Sequence, residues 1–254
     1  FGMGPTGTDV LRTMDPQLPV NRLKSVNDPR LNTALLNLEE KQTIKGFKFG
    51  VLYASEGQTK EDEMFANQAG SPAFEHFLDF LAERVPLQDW EHFRGGLDVR
   101  TGTTGELGLY TRYNNNEIMY HVSTMLPFNP LDKQQLERKR HIGNDIVVIV
   151  WQDGDTVYRP STISSRQVHV VLLVKEHKNP DDPSSTYYRL AVISREGVPE
   201  FGPPIPNVAV YKEGPEFREL LYSKLLNAEK ACYKAPMLDG KLTRTRTALL
   251  QDIG

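Results

Sequence analysis

Apolar residues recur along the chain at two spacings, one typical of β-strands and one typical of α-helices. Apolar runs rich in β-branched and aromatic residues predict strands at 47–54, 107–113, 117–124, 146–151, 167–175 and 187–194. Apolar stripes at helical spacing predict helices at 71–85, 132–143 and 215–235. Because strands and helices alternate, the sequence predicts an α/β fold, with a mixed β-sheet flanked by α-helices in a single domain.

The first 45 residues are predicted to form a partly irregular N-terminal extension. They are rich in Gly, Pro and Asn and show no sustained periodicity. One short helix is predicted within the extension, with an apolar face made of Leu31, Ala34, Leu35 and Leu38. The predicted domain therefore covers residues 46–254.

A polar helix is predicted to end within the stretch KRHIGNDIV, directly before an apolar strand. Asp132 is expected to cap the helix, with Gln135 three residues later as its capping partner. Gly143 is expected to end it in the left-handed conformation. The last turn then holds a group of cationic or near-cationic residues, namely Arg138, Lys139, Arg140 and His141.

Two interpretations of this basic helix end remain open. Cations in the last turn interact favourably with the helix dipole, so a capped helix with a solvated basic face explains the pattern. The helix has few apolar residues, however, so most of it must face solvent or a partner. If helical geometry continues past Gly143, Arg140 and His141 share the side of Asn144. A carboxamide there can orient water beside an anionic group, since it donates and accepts hydrogen bonds.

Composition and charge exclude several classes of protein. The net charge of −3 lacks the basic surplus of proteins that bind nucleic-acid backbones, so any basic recognition must be local. The single cysteine, Cys232, excludes an intrachain disulfide, and its apolar helical stripe favours a buried, inert thiol. No apolar stretch approaches the roughly 20 residues of a membrane span, and the N-terminus has no signal-peptide core. The protein is therefore expected to be cytoplasmic.

Familiar catalytic motifs are absent from the sequence. It contains no phosphate-binding P-loop, no HExxH and no GxSxG, and no two of its six histidines are four residues apart. A metal site and a self-contained hydrolase therefore have little support. We expect no cofactor of the chain's own.

Several stretches together resemble one known family. FRGGLDV, EIMYHVSTMLP, KRHIGNDIV, VPEFGPPIP and LLNAEKACYKA follow one another along the chain. They resemble the catalytic domain of the Rap GTPase-activating proteins, a family that includes the tuberin-type and Ral-type activators. The resemblance covers about residues 46–254 and is weak before Phe47. It implies that residues 1–45 are a remnant of a neighbouring dimerisation region that is mostly missing, and it leaves a homodimer open.

The resemblance implies a GTPase activator that has no reaction of its own. Rap GTPases lack the glutamine that orients the attacking water in most small GTPases, and activators of this family insert an asparagine instead. Asn144 matches that asparagine, and His141 matches a residue that supports it. The resemblance assigns partner docking and helix placement to basic residues of the helix, namely Arg138, Lys139 and Arg140. In the C-terminal segment it assigns partner binding to Arg244, with Arg246 as the alternative.

The implied partner is a Rap-type small GTPase in the GTP-bound state. GTP and Mg²⁺ would belong to that partner, and the cytoplasmic protein would reach membranes through it. Two alternatives stay open: a GTPase-binding scaffold without significant activation, and an activator of the related GTPases Ral or Rheb.

Overall fold

The computed structural model describes residues 6–23, 28–42 and 46–251. These residues contain seven α-helices: α1 Gly7–Met14, α2 Pro29–Gln42, α3 Glu61–Phe65, α4 Pro72–Leu81, α5 Leu136–Ile142, α6 Pro215–Cys232 and α7 Pro236–Gln251. They also contain eight strands: β1 Gly46–Ala54, β2 Glu83–Pro86, β3 Leu107–Tyr113, β4 Asn116–Val122, β5 Val147–Gln152, β6 Val170–His177, β7 Tyr187–Ser194 and β8 Val210–Lys212. The predicted α/β class is confirmed.

All eight strands belong to one mixed sheet with the order β2-β3-β4-β1-β5-β6-β7-β8. Strand β1 pairs in parallel with β4 and β5, and β5 pairs in parallel with β6. The remaining pairs are antiparallel. Because β1 lies between β4 and β5, the connection that contains α5 must cross over β1.

The two faces of the sheet carry separate apolar cores. Phe47 and Phe49 of β1 point into an aromatic core that α4 and α6 cover. Leu52 points to the other face, where it joins Phe65 of α3 and Ile142 of α5. This alternation follows from the two-residue period of a strand. Helix α5 therefore lies on the opposite face of the sheet from α4 and α6.

The helix predicted at 71–85 is shorter than expected, and a strand follows it. Its start is confirmed, because the Phe74 N–H donates to Ser71 Oγ at 3.2 Å. The helix ends at Leu81, however, and Val85 lies in β2 opposite Gly108 of β3. Val85 is buried there in the apolar core that also contains Leu52. Pro86 lacks an amide hydrogen and is tolerated because β2 is an edge strand.

The N-terminal extension contains one helix that its apolar pattern does not predict. At the start of α1, the Asp9 N–H donates to Thr6 Oγ1 at 3.3 Å and the Thr6 N–H donates to Asp9 Oδ2 at 2.9 Å. This capping box is the sequence signal for α1. The predicted helix with Leu31 and Leu38 is present as α2. The end of the extension at residues 43–45, and its residues 1–5 and 24–27, lie outside the described residues.

Two compact units make up the chain. One is Ile44–Thr245, which contains the whole sheet and α3 to α6. The other is formed by Phe1–Thr43 and Arg246–Gly254. The residues of α5 and their neighbours, which carry the candidate chemistry, all belong to the first unit.

Candidate functional site

Helix α5 begins four residues later than its sequence pattern predicts. The residue at the N-cap position is Gln135, whose side chain makes no cap hydrogen bond, and not Asp132, although Asp132 Oδ2 accepts from the Leu136 N–H at 2.7 Å. Its Oδ1 accepts from the Gln134 N–H at 3.0 Å, so residues 132–135 form a turn rather than a helical turn. Gln135 has a φ of 50°, in the left-handed region, and cannot continue a right-handed helix backwards. The first predicted turn is thus replaced by a loop.

The C-terminal end of α5 is also different from the prediction. Gly143 has φ −68° and ψ −8°, so it is right-handed and not left-handed. Glycine is required for another reason, since an added Cβ would lie 2.4 Å from Lys139 O. The helical path continues, as the Asn144 N–H donates to His141 O at 2.9 Å. Helical geometry past Gly143, considered from sequence as a condition, is thus present as one turn beyond the helix, which itself ends at Ile142.

A close approach to the sheet fixes the depth of α5. Ile142 is buried and packs over Gly50 of β1. A Cβ at Gly50 would lie 2.8 Å from Ile142 Cγ2 and 3.3 Å from Asp145 Oδ2. The missing side chain therefore lets the helix end and its following turn rest directly on the central strand.

Asn144 is exposed at the end of this segment. Its Nδ2 donates to Arg140 O at 2.7 Å, which fixes the carboxamide against the last turn. The second N–H and Oδ1 have no hydrogen-bond partner among the described residues. A cleft of about 180 Å³ opens beside it. The cleft is lined by Glu61, Phe65, Lys139, Ile142, Gly143, Asn144, Ile163, Ser164 and Ser165.

The environment of Arg138 suits the placement of α5 and does not suit docking on a partner. Its side chain is only 2% exposed, and its guanidinium donates to backbone carbonyls of two loops. Nη1 bonds to Phe65 O at 2.8 Å and Asn67 O at 2.6 Å, and Nε bonds to Leu126 O at 3.0 Å. Five donors on a planar group suit this task. Arg138 anchors α5 to the body of the domain and offers no surface charge.

The next two cations differ from each other in their environment. Lys139 Nζ lies 3.2 Å from Glu61 Oε1 and also contacts Asp62, so its charge is matched within the chain. Arg140 is 69% exposed and has one weak ion pair, to Glu137 at 3.3 Å. Of the three basic residues 138–140, Arg140 is therefore the one whose charge faces solvent.

His141 is half-buried beside a second histidine. Its ring meets the ring of His121 edge-on, with centroids 5.4 Å apart and planes at 70°. Burial first, then the neighbouring His121 and Arg140, lower the pKa of His141. Its imidazole is therefore neutral at neutral pH. It lines a second cleft, of about 110 Å³, on the other side of α5.

The two C-terminal arginines lie on a separate helix, α7. Arg244 is exposed, and its Nε donates to Gly240 O at 3.0 Å, one turn back. Arg246 Nη2 contacts Glu39 Oε1 of α2 at 2.6 Å. The structure thus brings together residues 138–144 on one short segment and places Arg244 and Arg246 on another element. Their docking role stays a prediction.

Comparison with known proteins decides the family. The Rap/ran-GAP family model matches residues 64–247, which include α5 and Asn144. The chain belongs to the Rap/Ran-GAP family. The matched region is a GTPase-activating domain of the Rap/Ran-GAP type.

Relatives of this Rap/Ran-GAP domain are much longer proteins. It is 43% identical, over 98% of its length, to GTPase-activating Rap/Ran-GAP domain-like protein 3 of Danio rerio, and covers 25% of that protein. It is 43% identical, over 96% of its length, to Signal-induced proliferation-associated 1-like protein 1 of Mus musculus, and covers 14% of it. The chain thus spans a quarter or less of these relatives.

A solved structure supports the fold of the Rap/Ran-GAP domain. The structure of the TSC2 GAP domain matches with a TM-score of 0.64 and 34% sequence identity. The match covers 73% of this chain and 96% of that one. The mixed sheet and its flanking helices are therefore an architecture shared with that domain.

Three polar residues of the candidate site in this Rap/Ran-GAP domain were not predicted from the sequence. Lys48 of β1, His121 of β4 and Asp145 of the turn before β5 meet directly beneath Asn144. The sequence gives only weak hints of them. Lys48 is a charged residue between two buried phenylalanines, His121 lies within an apolar strand, and Asp145 is an acid next to Asn144. None of these signals says which residues meet, because they come from three distant segments.

Two further tests concern the described part of the Rap/Ran-GAP chain. Within it, no group of three or more His, Cys, Asp or Glu side chains is arranged to hold a metal ion. Of the helices described, none combines the length and apolar character needed to cross a membrane.

Proposed function

We propose that this domain stimulates GTP hydrolysis on a Rap-type small GTPase by inserting Asn144 into the partner's active site. One observation carries the proposal. Asn144 is exposed at the end of a firmly anchored helix, beside an open cleft, with a carboxamide oxygen and one N–H that have no partner among the described residues. A side chain of this kind is ready to interact with a second molecule.

The carboxamide fits the task because it accepts and donates hydrogen bonds at once. Its oxygen accepts from the attacking water, and its free N–H donates toward the γ-phosphate region. Activation of about 10³–10⁵-fold, as GTPase activators typically give, requires the removal of about 4–7 kcal/mol from the barrier. One hydrogen bond rarely provides that, so the position of α5 against the GTPase must contribute too. GTP and Mg²⁺ belong to the partner in this proposal.

His141 supports Asn144 in this proposal by packing. Its half-buried, neutral ring fills the space between α5 and His121, which keeps the last turn of α5 in place. His141→Ala is expected to lower the maximal rate of activated hydrolysis and to leave the chain folded, because a half-buried position contributes modestly to stability.

The exposed arginines are assigned to docking on an acidic surface of the GTPase. Arg140→Glu and Arg244→Glu should weaken association and make the remaining activity more sensitive to salt. Arg189→Glu, a reversal of an exposed arginine on β7, is the control. Unchanged affinity for both site variants at low salt would remove the docking assignment.

The experiment that tests the function is single-turnover GTP hydrolysis by a Rap protein at saturating concentrations of the domain. Asn144→Ala should keep its affinity for the GTP-bound partner and lose nearly all activation, because the lost interaction is made mainly in the transition state. Asn144→Asp should also fail, since a carboxylate has no donor and places negative charge near the phosphates.

Asn207→Ala, which truncates an exposed asparagine in the proline-rich loop before β8, is the matched control. Near-normal hydrolysis with Asn144→Ala would overturn the assignment of Asn144. Tight binding by the wild-type domain without activation would identify a scaffold. Running Rap, Ral and Rheb side by side identifies the substrate.

A further inference from the structure

A buried polar cluster lies directly beneath Asn144. We define the 48–121–145 cluster as Lys48 of β1, His121 of β4 and Asp145 of the turn before β5. Asp145 is 0% exposed and His121 is 1% exposed, whereas the Lys48 side chain is 37% exposed. Buried charges are costly unless they are paired, so this cluster must be held together by its own contacts.

Asp145 is the centre of the cluster. Its Oδ2 lies 2.8 Å from His121 Nδ1, within hydrogen-bond distance. Its Oδ1 lies 3.2 Å from Lys48 Nζ, without the alignment of a hydrogen bond, so this contact is an ion pair. Two positively charged or donating groups therefore face one carboxylate.

His121 is held between two acceptors. Its Nδ1 faces the Asp145 carboxylate, and its Nε2 lies 3.0 Å from Gly95 O. The Gly95 carbonyl oxygen can only accept, so Nε2 carries a hydrogen in this contact, and Nδ1 is the ring nitrogen that faces the carboxylate. The ring is therefore fixed in one orientation between β4, the Gly95 loop and Asp145.

The cluster is joined to Asn144 through the backbone. Lys48 Nζ donates to Asn144 O at 3.4 Å, and Asp145 is the next residue in the chain. The Asp145 N–H donates to Ile142 O at 3.2 Å, which closes the turn that follows α5. The peptide group between Asn144 and Asp145 is therefore fixed on both sides. His121 also supports the ring of His141, on the last turn of α5.

We propose that Lys48, His121 and Asp145 are positioning residues that hold Asn144 in the orientation needed for hydrolysis. The inference rests on the proposed function of Asn144. A purely structural role would require only that the charges be paired. Here Lys48, the exposed member, instead bonds the carbonyl of the reactive asparagine itself.

Lys48→Met is the main test, because the side chain is partly exposed and its loss should leave the chain folded. We expect the maximal rate of activated hydrolysis to fall by roughly 10- to 100-fold, with unchanged affinity for the GTPase, as a small misplacement of a reacting group can cause. Lys48→Arg should restore part of the rate, since it keeps the charge and the donors.

The matched control is Lys175→Met. Lys175, on β6, donates to the backbone carbonyl of Gly154 at 3.1 Å and to the carboxylate of the following residue, Asp155. Lys48 makes the corresponding pair of contacts with Asn144 and Asp145. It lies outside the candidate site, so its loss should leave the rate unchanged. Equal rates for Lys48→Met and wild type would overturn the positioning role.

Nitrogen-15 NMR of the histidine rings tests the cluster without any GTPase. His121 Nε2 should carry the hydrogen, because the Gly95 carbonyl that it faces can only accept. An unprotonated Nε2 in the wild-type chain would overturn this placement of the ring in the cluster, and the positioning role of His121 with it. The Asn144 side-chain amide signal should shift in Lys48→Met and stay in place in Lys175→Met. An unshifted signal in Lys48→Met would overturn the positioning role. This readout holds even if wild-type domain fails to activate any GTPase, which would defeat only the proposed function.

Discussion

Helices α5 and α6 cover opposite faces of the same sheet and are held by different interactions. Helix α6 has eighteen residues and buries ten of them, mostly apolar, against the aromatic core. Helix α5 has seven residues and buries only Arg138 and Ile142. Burial of apolar area is non-directional, so α6 is held mainly by the area that it covers. Hydrogen bonds require distance and angle, so they fix α5 in one orientation.

This difference indicates that α6 contributes mainly to the stability of the domain and that α5 contributes mainly to the orientation of Asn144. Substitutions in α6 should mainly change the free energy of unfolding. Substitutions around α5 should mainly change how Asn144 is presented, with a smaller effect on unfolding. The following predictions compare the two helices, beginning with the largest expected effect.

Truncation of the α6 core should give the largest loss of stability. Phe217 is 2% exposed and stacks on Phe80 and Tyr211. Phe217→Ala should lower the free energy of unfolding by about 3–5 kcal/mol, through lost burial and a new cavity. Denaturant unfolding measures this loss. The folded fraction of the variant should activate hydrolysis at the wild-type rate; a reduced rate per folded molecule would mean that the two faces are coupled.

Removal of the α5 anchor should be the next largest effect. Arg138→Met leaves several buried carbonyls without a donor, which should cost on the order of 3 kcal/mol of stability. It should also lower the maximal rate of hydrolysis, because α5 loses its attachment. Arg140→Met, on the exposed side of the same helix, should change stability by no more than about 0.5 kcal/mol. Equal stability of the two variants would contradict the anchoring role.

A buried acid on α6 should reveal itself through pH. Burial raises the pKa of Glu229 to about 7. A hydrogen bond from Tyr233 opposes this shift in part, and the nearby charge of Asp145 adds to it. Its Oε1 accepts from the Tyr233 hydroxyl at 2.6 Å, and its Oε2 has no hydrogen-bond partner within the described part of the chain. The unfolded chain ionises this group near pH 4.5 and the folded chain does not, so the free energy of unfolding falls as pH rises between these two values.

Glu229→Gln should therefore stabilise the chain at pH 8, by up to about 3 kcal/mol, and give little gain near pH 4. Thermal and denaturant unfolding across this pH range measure the effect. Glu196→Gln, at an exposed position, is the control. A gain that does not depend on pH would show that packing, and not ionisation, causes it.

The smallest expected effect concerns His141. Its pKa is lowered in the folded chain, chiefly by burial, so the unfolded chain takes up a proton first as pH falls. The stability that comes from the lowered pKa of His141 is present above the ordinary histidine pKa of about 6.5 and is lost as the pH falls below it. The free energy of unfolding of wild type should decrease from pH 7.5 to pH 5.5 more steeply than that of His141→Gln. Parallel curves would contradict this assignment.

Prediction from sequence succeeded where the signal is local. The strands at 107–113 and 187–194 were predicted with the bounds that the structure has, since each is a stretch rich in aromatic and aliphatic residues between turns. The ends of α5 were mispredicted, because Asp132 and Gly143 have the residue types of helix caps but act through a loop and a tight approach. The burial of Arg138 could not be predicted, because its partners are carbonyls of loops at residues 65–67 and 126–127.

The sequence by itself determined the class of fold, the family and the placement of Asn144 after a short basic helix. These depend on residue types and spacings within a few turns of chain. The tertiary structure decided which charges are free and which are anchored. It brought Lys48 and His121 to Asp145 by passing α5 over β1, across separations of 96 residues from Lys48 to Asn144 and 24 from His121 to Asp145. The physical reason is that ion pairs and hydrogen bonds act over a few ångströms in space, and periodicity along the chain carries no record of such distances.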